Sequence, residues 1–156
     1  MTTAAPTTSS LTLNRAPDHT YLVWGEERWE STPGGTWVEV PDATIDLRVG
    51  QDTPSYGAIF VATFSAEALA SNPDNNGVVS ATVFFDTEQA APVSNNHRFV
   101  TARGNPEWSS HTLIRTANFA PDLAMRDVTA RLKVKTSTNT TVGLQNWVLK
   151  IERYNT

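Results

Sequence analysis

From Asp127 to Tyr154 polar and apolar side chains alternate almost residue by residue in two consecutive runs. In the first, Val128, Ala130, Leu132 and Val134 are apolar while Thr129, Arg131, Lys133 and Lys135 are polar, the two-residue period of a strand with one wet face. In the second, Val142 and Leu144 set one parity and Trp147, Leu149 and Ile151 the other. One extra residue near Gln145 or Asn146 must restore the face, which predicts a β-bulge there. Two long amphipathic strands in succession predict an all-β chain, an antiparallel β-sandwich of jelly-roll type.

Upstream, short strands are predicted over 21–24, 36–40 and 43–49, with Pro33-Gly34-Gly35 and Pro41-Asp42 as the turns between them. In 57–64, Ala58, Phe60, Ala62 and Phe64 share one parity and Ile59 and Val61 the other, predicting a central strand buried on both faces with 78–85 as its partner. Residues 65–71, with Glu67, Ala68, Leu69 and Ala70 after a Ser65 cap, predict one helical turn, and 121–125 another. Strands over 98–101 and 112–117 bring the total to nine or ten, and no repeat of solenoid or propeller length is present.

Residues 1–14 form a Thr/Ala/Pro/Ser arm ahead of a single β-sandwich domain, 15–156. Near the arm's end Leu11 and Leu13 alternate with Ser10, Thr12 and Asn14, so this segment can add as a strand to a sheet of its own or another subunit. The chain begins without a basic start or an apolar run, so no secretion signal is expected, and the protein is expected to be made and kept in a cytoplasm or released by lysis. No window approaches the ~20 apolar residues of a membrane span, so no membrane insertion is expected.

Charge changes the picture of partners. The net charge of -4 argues against nucleic acid, which calls for a basic surface. From Arg126 onward six basic residues face two acids, a balance of +4, so the preceding residues carry -8. Arg131, Lys133 and Lys135 could therefore meet an acidic surface on a neighbouring copy, which predicts a homo-oligomer. The plainer reading is a solvated strand face whose cations keep sheets from pairing edge to edge.

Reactive constellations are scarce. Asn72-Pro73-Asp74-Asn75-Asn76-Gly77 places oxygen side chains before a glycine as a calcium loop does, but the twelfth position is Val83 where a closing Glu would stand. Asn76-Gly77 between apolar runs is a hairpin signal instead. His19, His97 and His111 are far apart, Cys is absent, and no nucleophile elbow, phosphate loop or His-Glu-x-x-His sequence occurs. Asn139-Thr140-Thr141 fits a glycosylation acceptor but reads better as a polar turn between the last two strands. No catalytic residue, metal or cofactor is expected. Trp24, Trp29 and Trp37 cluster with Glu26, Glu27, Arg28 and Glu30, a composition that can make a sugar-binding surface or fill a core. Trp24 and Trp37 lie in strands and are expected in the core; Trp29, in a polar loop, is the expected contact to a ligand or partner.

Phe64-Ser65-Ala66-Glu67, Trp108-Ser109-Ser110-His111-Thr112-Leu113-Ile114-Arg115 and Trp147-Val148-Leu149-Lys150-Ile151-Glu152-Arg153 together resemble a jelly-roll domain recurrent in actinobacterial proteins and in minor tail and other virion proteins of their phages. The resemblance implies a fold and a setting, with no catalytic residues. It points to a non-enzymatic bacteriophage virion protein, a small tail or tail-tip accessory protein among other virion proteins and in contact with a host-surface glycan, with the homo-oligomer a trimer by analogy with other virion sandwiches. A capsid decoration protein is the neighbouring alternative, and a carbohydrate-binding module using Trp29 is the alternative of another class.

Overall fold

The computed structural model describes residues 8–49, 57–103, 106–121 and 126–156. Its ten strands are β1 (His19–Gly25), β2 (Trp29–Ser31), β3 (Val38–Val49), β4 (Ala58–Ser71), β5 (Val78–Phe85), β6 (Glu88–Gln89), β7 (Arg98–Thr101), β8 (Ser109–Phe119), β9 (Arg126–Thr136) and β10 (Thr141–Asn155). They form two antiparallel sheets. The first runs β1-β10-β4-β8 with β2 also on β10, and the second runs β3-β9-β5-β6 with β7 also on β5. Setting the short β2 and β6 aside, the first of the eight main strands pairs with the last, the second with the seventh, the third with the sixth and the fourth with the fifth. A long hairpin wound up in this nested way is a jelly roll.

The two-residue period does what it predicts. Val128, Ala130, Leu132 and Val134 of β9 are buried and face Trp147, Leu149 and Ile151 of β10 across the interior. Phenylalanines from both sheets fill the middle, with Phe60 stacked on Phe85 at 5.5 Å and Phe64 against Phe99 at 5.8 Å. Each such side chain contributes about 1.5–3 kcal/mol of burial. The bulge in β10 is present: pairing with β4 steps from Gln145↔Glu67 to Val148↔Ser65, so Asn146 and Trp147 together oppose Ala66. Asn146 takes the left-handed conformation with φ of 47°.

Several sequence expectations give way. Residues 65–71 form no helical turn; they continue β4, with Ala66, Ala68 and Ala70 buried and Ser65, Glu67 and Leu69 facing out. Helix propensity there yields to pairing with both β10 and β8. β4 is central, yet Ile59 and Val61 are only half-buried, because they take its outward parity while Ala58, Phe60 and Ala62 take the core side. Pro41 and Asp42 make no turn between two strands; β3 runs through them with a register break between Glu39 and Thr44. Proline is tolerated because β3 is an edge strand, where a missing N–H costs no ladder bond. The expected turn at 121–125 falls mostly on residues 122–125, outside the described residues.

Nor is β5 the partner of β4, since it lies in the opposite sheet between β9 and the β6/β7 pair. Residues 72–77 turn a corner between sheets in place of the expected hairpin. Buried Asn72 pins that corner by donating from Nδ2 to the Thr138 carbonyl and to Thr140 Oγ1, both at 3.0 Å, while its Oδ1 accepts the Asp74 N–H at 2.8 Å. A Cβ at Gly77 would lie 2.5 Å from Thr140 Oγ1, so the corner closes only around glycine.

Candidate functional site

The first sheet is irregular where β1 gives way to β2 along β10. β1 and β2 pair with the same strand, β1 with residues 147–153 of β10 and β2 with residues 142–144, so the turn joining them passes over the β10 bulge. Its Glu26 carbonyl accepts the Asn146 N–H at 3.4 Å. Opposite, the Pro41–Asp42 bulge of β3 holds Asp42 at φ 65°, a left-handed conformation in a residue with a side chain. Between these elements opens a cleft of about 320 Å³ lined by the Trp24–Trp29 turn, Pro41, Asp42 and Trp147.

The cleft's aromatic floor is fixed by close packing. Trp147 is buried, and its indole lies directly beneath Gly25, where a Cβ would come within 2.8 Å of the ring. Trp108 stands alongside, packed over Gly143, with the Arg28 guanidinium 5.0 Å from its ring centroid. Arg28 is held from the other side by Glu30, to which Nε donates at 2.9 Å. Glu67 anchors the bulge, accepting from Gln145 Nε2 at 2.8 Å and Asn146 Nδ2 at 3.0 Å. The Gln145 amide first, then the Asn146 amide, hold its carboxyl below the usual value.

Two of the three tryptophans leave the core position expected of them. Trp24 is no core residue: it is 65% exposed, because Tyr21 and Val23 take the inward parity of β1 and leave Leu22 and Trp24 outside. Trp29 lies in β2, half-buried against the core, and lines the cleft. Trp37 is on the outer side of the second sheet, edge-on to Phe84 at 5.8 Å, under the Lys135 ammonium at 4.8 Å. Residues 8–14 form no strand, and Leu11 is exposed.

Arg131, Lys133 and Lys135 do not join the cleft. They lie along β9, in the interior of the second sheet, away from any edge. Lys133 caps the Phe84 ring at 4.6 Å, Lys135 caps Trp37, and Arg131 Nε lies 3.3 Å from Glu39 Oε1. These cations are therefore engaged within their own sheet. Sequence reasoning found the Trp/acid stretch but missed Asp42, Trp108 and Trp147, which come from distant segments and carry no spacing signal. No group of three or more His, Cys, Asp or Glu able to hold a metal occurs among the described residues.

A second surface emerges on the outer side of the first sheet. Cross-strand register places Trp24, Val148, Ser65 and Thr112 in one row and Leu22, Lys150, Thr63 and Ile114 in the next. Leu22, Trp24 and Ile114 are 55%, 65% and 60% exposed, and Val148 is exposed too. The hydroxyls between them are short and paired, Ser65 Oγ to Thr112 Oγ1 at 2.8 Å, so the face is low in relief. Within it on β10, between Leu22 and Thr63, the Lys150 ammonium lies 3.5 Å from Glu152.

No protein-family model matches the chain, and no curated protein matches it. Solved structures with some likeness include one of infectious bursal disease virus, Gx strain, with a TM-score of 0.41 and 9% identity over 94% of this chain and 42% of that one. T=1 particles derived from the same virus give 0.32 and 12% over 99% and 44%, and its VP2 subviral particle gives 0.29 and 12% over 96% and 46%. The chain thus spans less than half the length of these chains.

Proposed function

We propose that this chain is a non-catalytic structural protein of a virus particle, a small phage tail or tail-tip accessory protein that works in several copies and touches the host surface. The observation that carries the reading is the exposed apolar face formed by Leu22, Trp24, Val148 and Ile114 on one side of a jelly roll. Leu22, Trp24 and Val148 adjoin across β1 and β10 while Ile114 stands on β8 beyond Lys150 and Thr63, an amount of open apolar surface that monomeric domains rarely leave, and jelly rolls recur as building blocks of viral shells. The occupant of the face is a second copy of the chain. Lys150 and Glu152, side by side on β10, make the face self-complementary, since a two-fold axis sets each lysine against the other copy's glutamate. A patch that meets itself gives two-fold pairing, whereas the trimer favoured from sequence needs two different patches.

Seven residues of β1 at ~3.3 Å each and four strands at ~4.8 Å give a footprint of roughly 440 Å² per copy, or about 900 Å² in all. That sits at the weak end of specific contacts, suited to reversible pairing reinforced on a symmetric assembly. Ile114→Asp is expected to abolish concentration-dependent association in sedimentation equilibrium without loss of fold. A wild-type chain that stays monomeric at millimolar concentration would remove the pairing. Quantitative mass spectrometry of purified particles tests the setting: a few copies per particle supports the tail, hundreds would reassign it to capsid decoration, and absence would overturn the virion reading.

A further inference from the structure

The cleft at the β1–β2 turn shares only Trp24 with the sheet face proposed for pairing, and its chemistry is specific. We infer that it is a carbohydrate-binding site, taking a neutral sugar ring against the indoles of Trp24 and Trp29, with its hydroxyls held by Asp42, Glu26, Glu27 and Arg28. The inference is independent of the virion reading, since a glycan-binding module in any other setting would carry the same cleft.

Four observations converge on it. The cleft, at about 320 Å³, is at the small end of ligand sites, with room for one or two sugar rings. It combines exposed apolar ring surface with polar groups of both kinds: the carboxylates of Glu26, Glu27 and Asp42 accept, while Arg28 and the indole N–H groups donate. A pyranose presents the same combination, an apolar C–H face and a rim of hydroxyls that both donate and accept. An anion would face three carboxylates at once. An organic cation would leave the donors unmatched and meet the Arg28 guanidinium, which Glu30 and Trp108 hold in position.

The fourth observation concerns the backbone. Both sheets break their register beside this one cleft, β3 between Glu39 and Thr44 and β10 between Gln145 and Val148. Each break holds a residue with a side chain at positive φ, Asp42 at 65° and Asn146 at 47°. Such conformations persist where surrounding structure over-determines them, and they concentrate at binding sites. Here they set Asp42 and Trp147 around the tryptophans of the turn.

The experiment is binding of the purified chain to an immobilised panel of neutral mono- to tetrasaccharides, followed by titration calorimetry with the best-retained sugar. It is run in the Ile114→Asp background, so that pairing through the sheet face does not cover Trp24. Retention of a subset of the panel is expected, weakened about tenfold or more by Trp24→Ala and by Asp42→Asn with an unchanged melting temperature. Retention that survives both substitutions overturns the assignment to this cleft. No retention, whether or not tetramethylammonium binds in its place, overturns the assignment to carbohydrate. None of these outcomes bears on copy number in a particle, so failure here and failure of the virion reading are told apart.

Discussion

Deleting Asn146 separates what the β10 bulge does for the fold from what it does for the cleft. Val142 and Leu144 before the bulge, and Trp147, Leu149 and Ile151 after it, all point into the core. Asn146 is the residue that makes two oppose one. Without it the strand reads Val142, Gly143, Leu144, Gln145, Trp147, Val148, Leu149 in unbroken alternation, and every pairing with β4 on either side survives. Relief of a left-handed residue is worth about 1 kcal/mol, against roughly 0.5–1.5 kcal/mol for each of the two hydrogen bonds lost, Asn146 Nδ2 to Glu67 and Asn146 N–H to the Glu26 carbonyl. Stability should therefore fall by no more than about 2 kcal/mol, or roughly 4–8 °C in melting temperature for a chain of this size.

The same deletion leaves one residue where two now separate the β1 and β2 pairings, so the Glu26–Arg28 turn must arch away from Trp147. Sugar retention should fall while the fold persists. Deletion of Lys150 is the control: with no bulge to absorb it, Ile151 turns outward and Glu152 inward, costing about 3 kcal/mol or more. Thermal unfolding followed by circular dichroism compares the two. Equal damage from both deletions would refute the claim that the core does not need the bulge.

Two further expectations concern buried and shifted groups. Arg153 is fully buried, its Nε donates to Asn155 Oδ1 at 2.8 Å, and its other two nitrogens have no partner among the described residues; Arg153→Met should thus be neutral or stabilising by about 1–2 kcal/mol in urea unfolding, and a loss above about 2 kcal/mol would reveal a partner. Burial first, then the nearby Arg115 and Lys135 charges, hold the His97 imidazole below its usual 6.5 against the opposing pull of the Pro92 carbonyl. A depressed value in the fold means that the contribution to stability is complete above 6.5 and is lost as pH falls through the lowered value. His97→Gln should flatten stability across that window, and an unchanged pH profile would count against it.

What could be read from the chain, and what could not, follows from the length and purity of the pattern. β9 and the second half of β10 keep strict alternation over many residues, and a parity change inside such a run can only be a bulge. The Glu67-Ala68-Leu69-Ala70 stretch satisfies helix propensity and strand alternation equally, and only its two neighbours in the sheet decide. Thr20-Tyr21-Leu22-Val23-Trp24 is apolar on both parities, so the sequence does not say which face is inside, and Trp24 lies outside the core. Pro41 read as a turn because its tolerance depends on an edge position that topology alone assigns. Half of the cleft is visible as a Trp/acid stretch; the other half depends on Pro41 and Asp42 in a strand of the opposite sheet and on the distant pairing of Gly25 with Trp147.

The nesting of first strand with last also governs the order in which this molecule can come into being. β10 fills the gap between β1 and β4 and brings Trp147, Leu149 and Ile151 with it. A nascent chain emerging from the ribosome therefore has to keep β1 and one side of β4 waiting, unpaired, until translation has nearly reached Asn155. Distant pairings of this kind fold slowly and leave open edges that other copies can seize. The quality of the product should depend on synthesis rate and crowding as much as on any single contact in the finished sandwich.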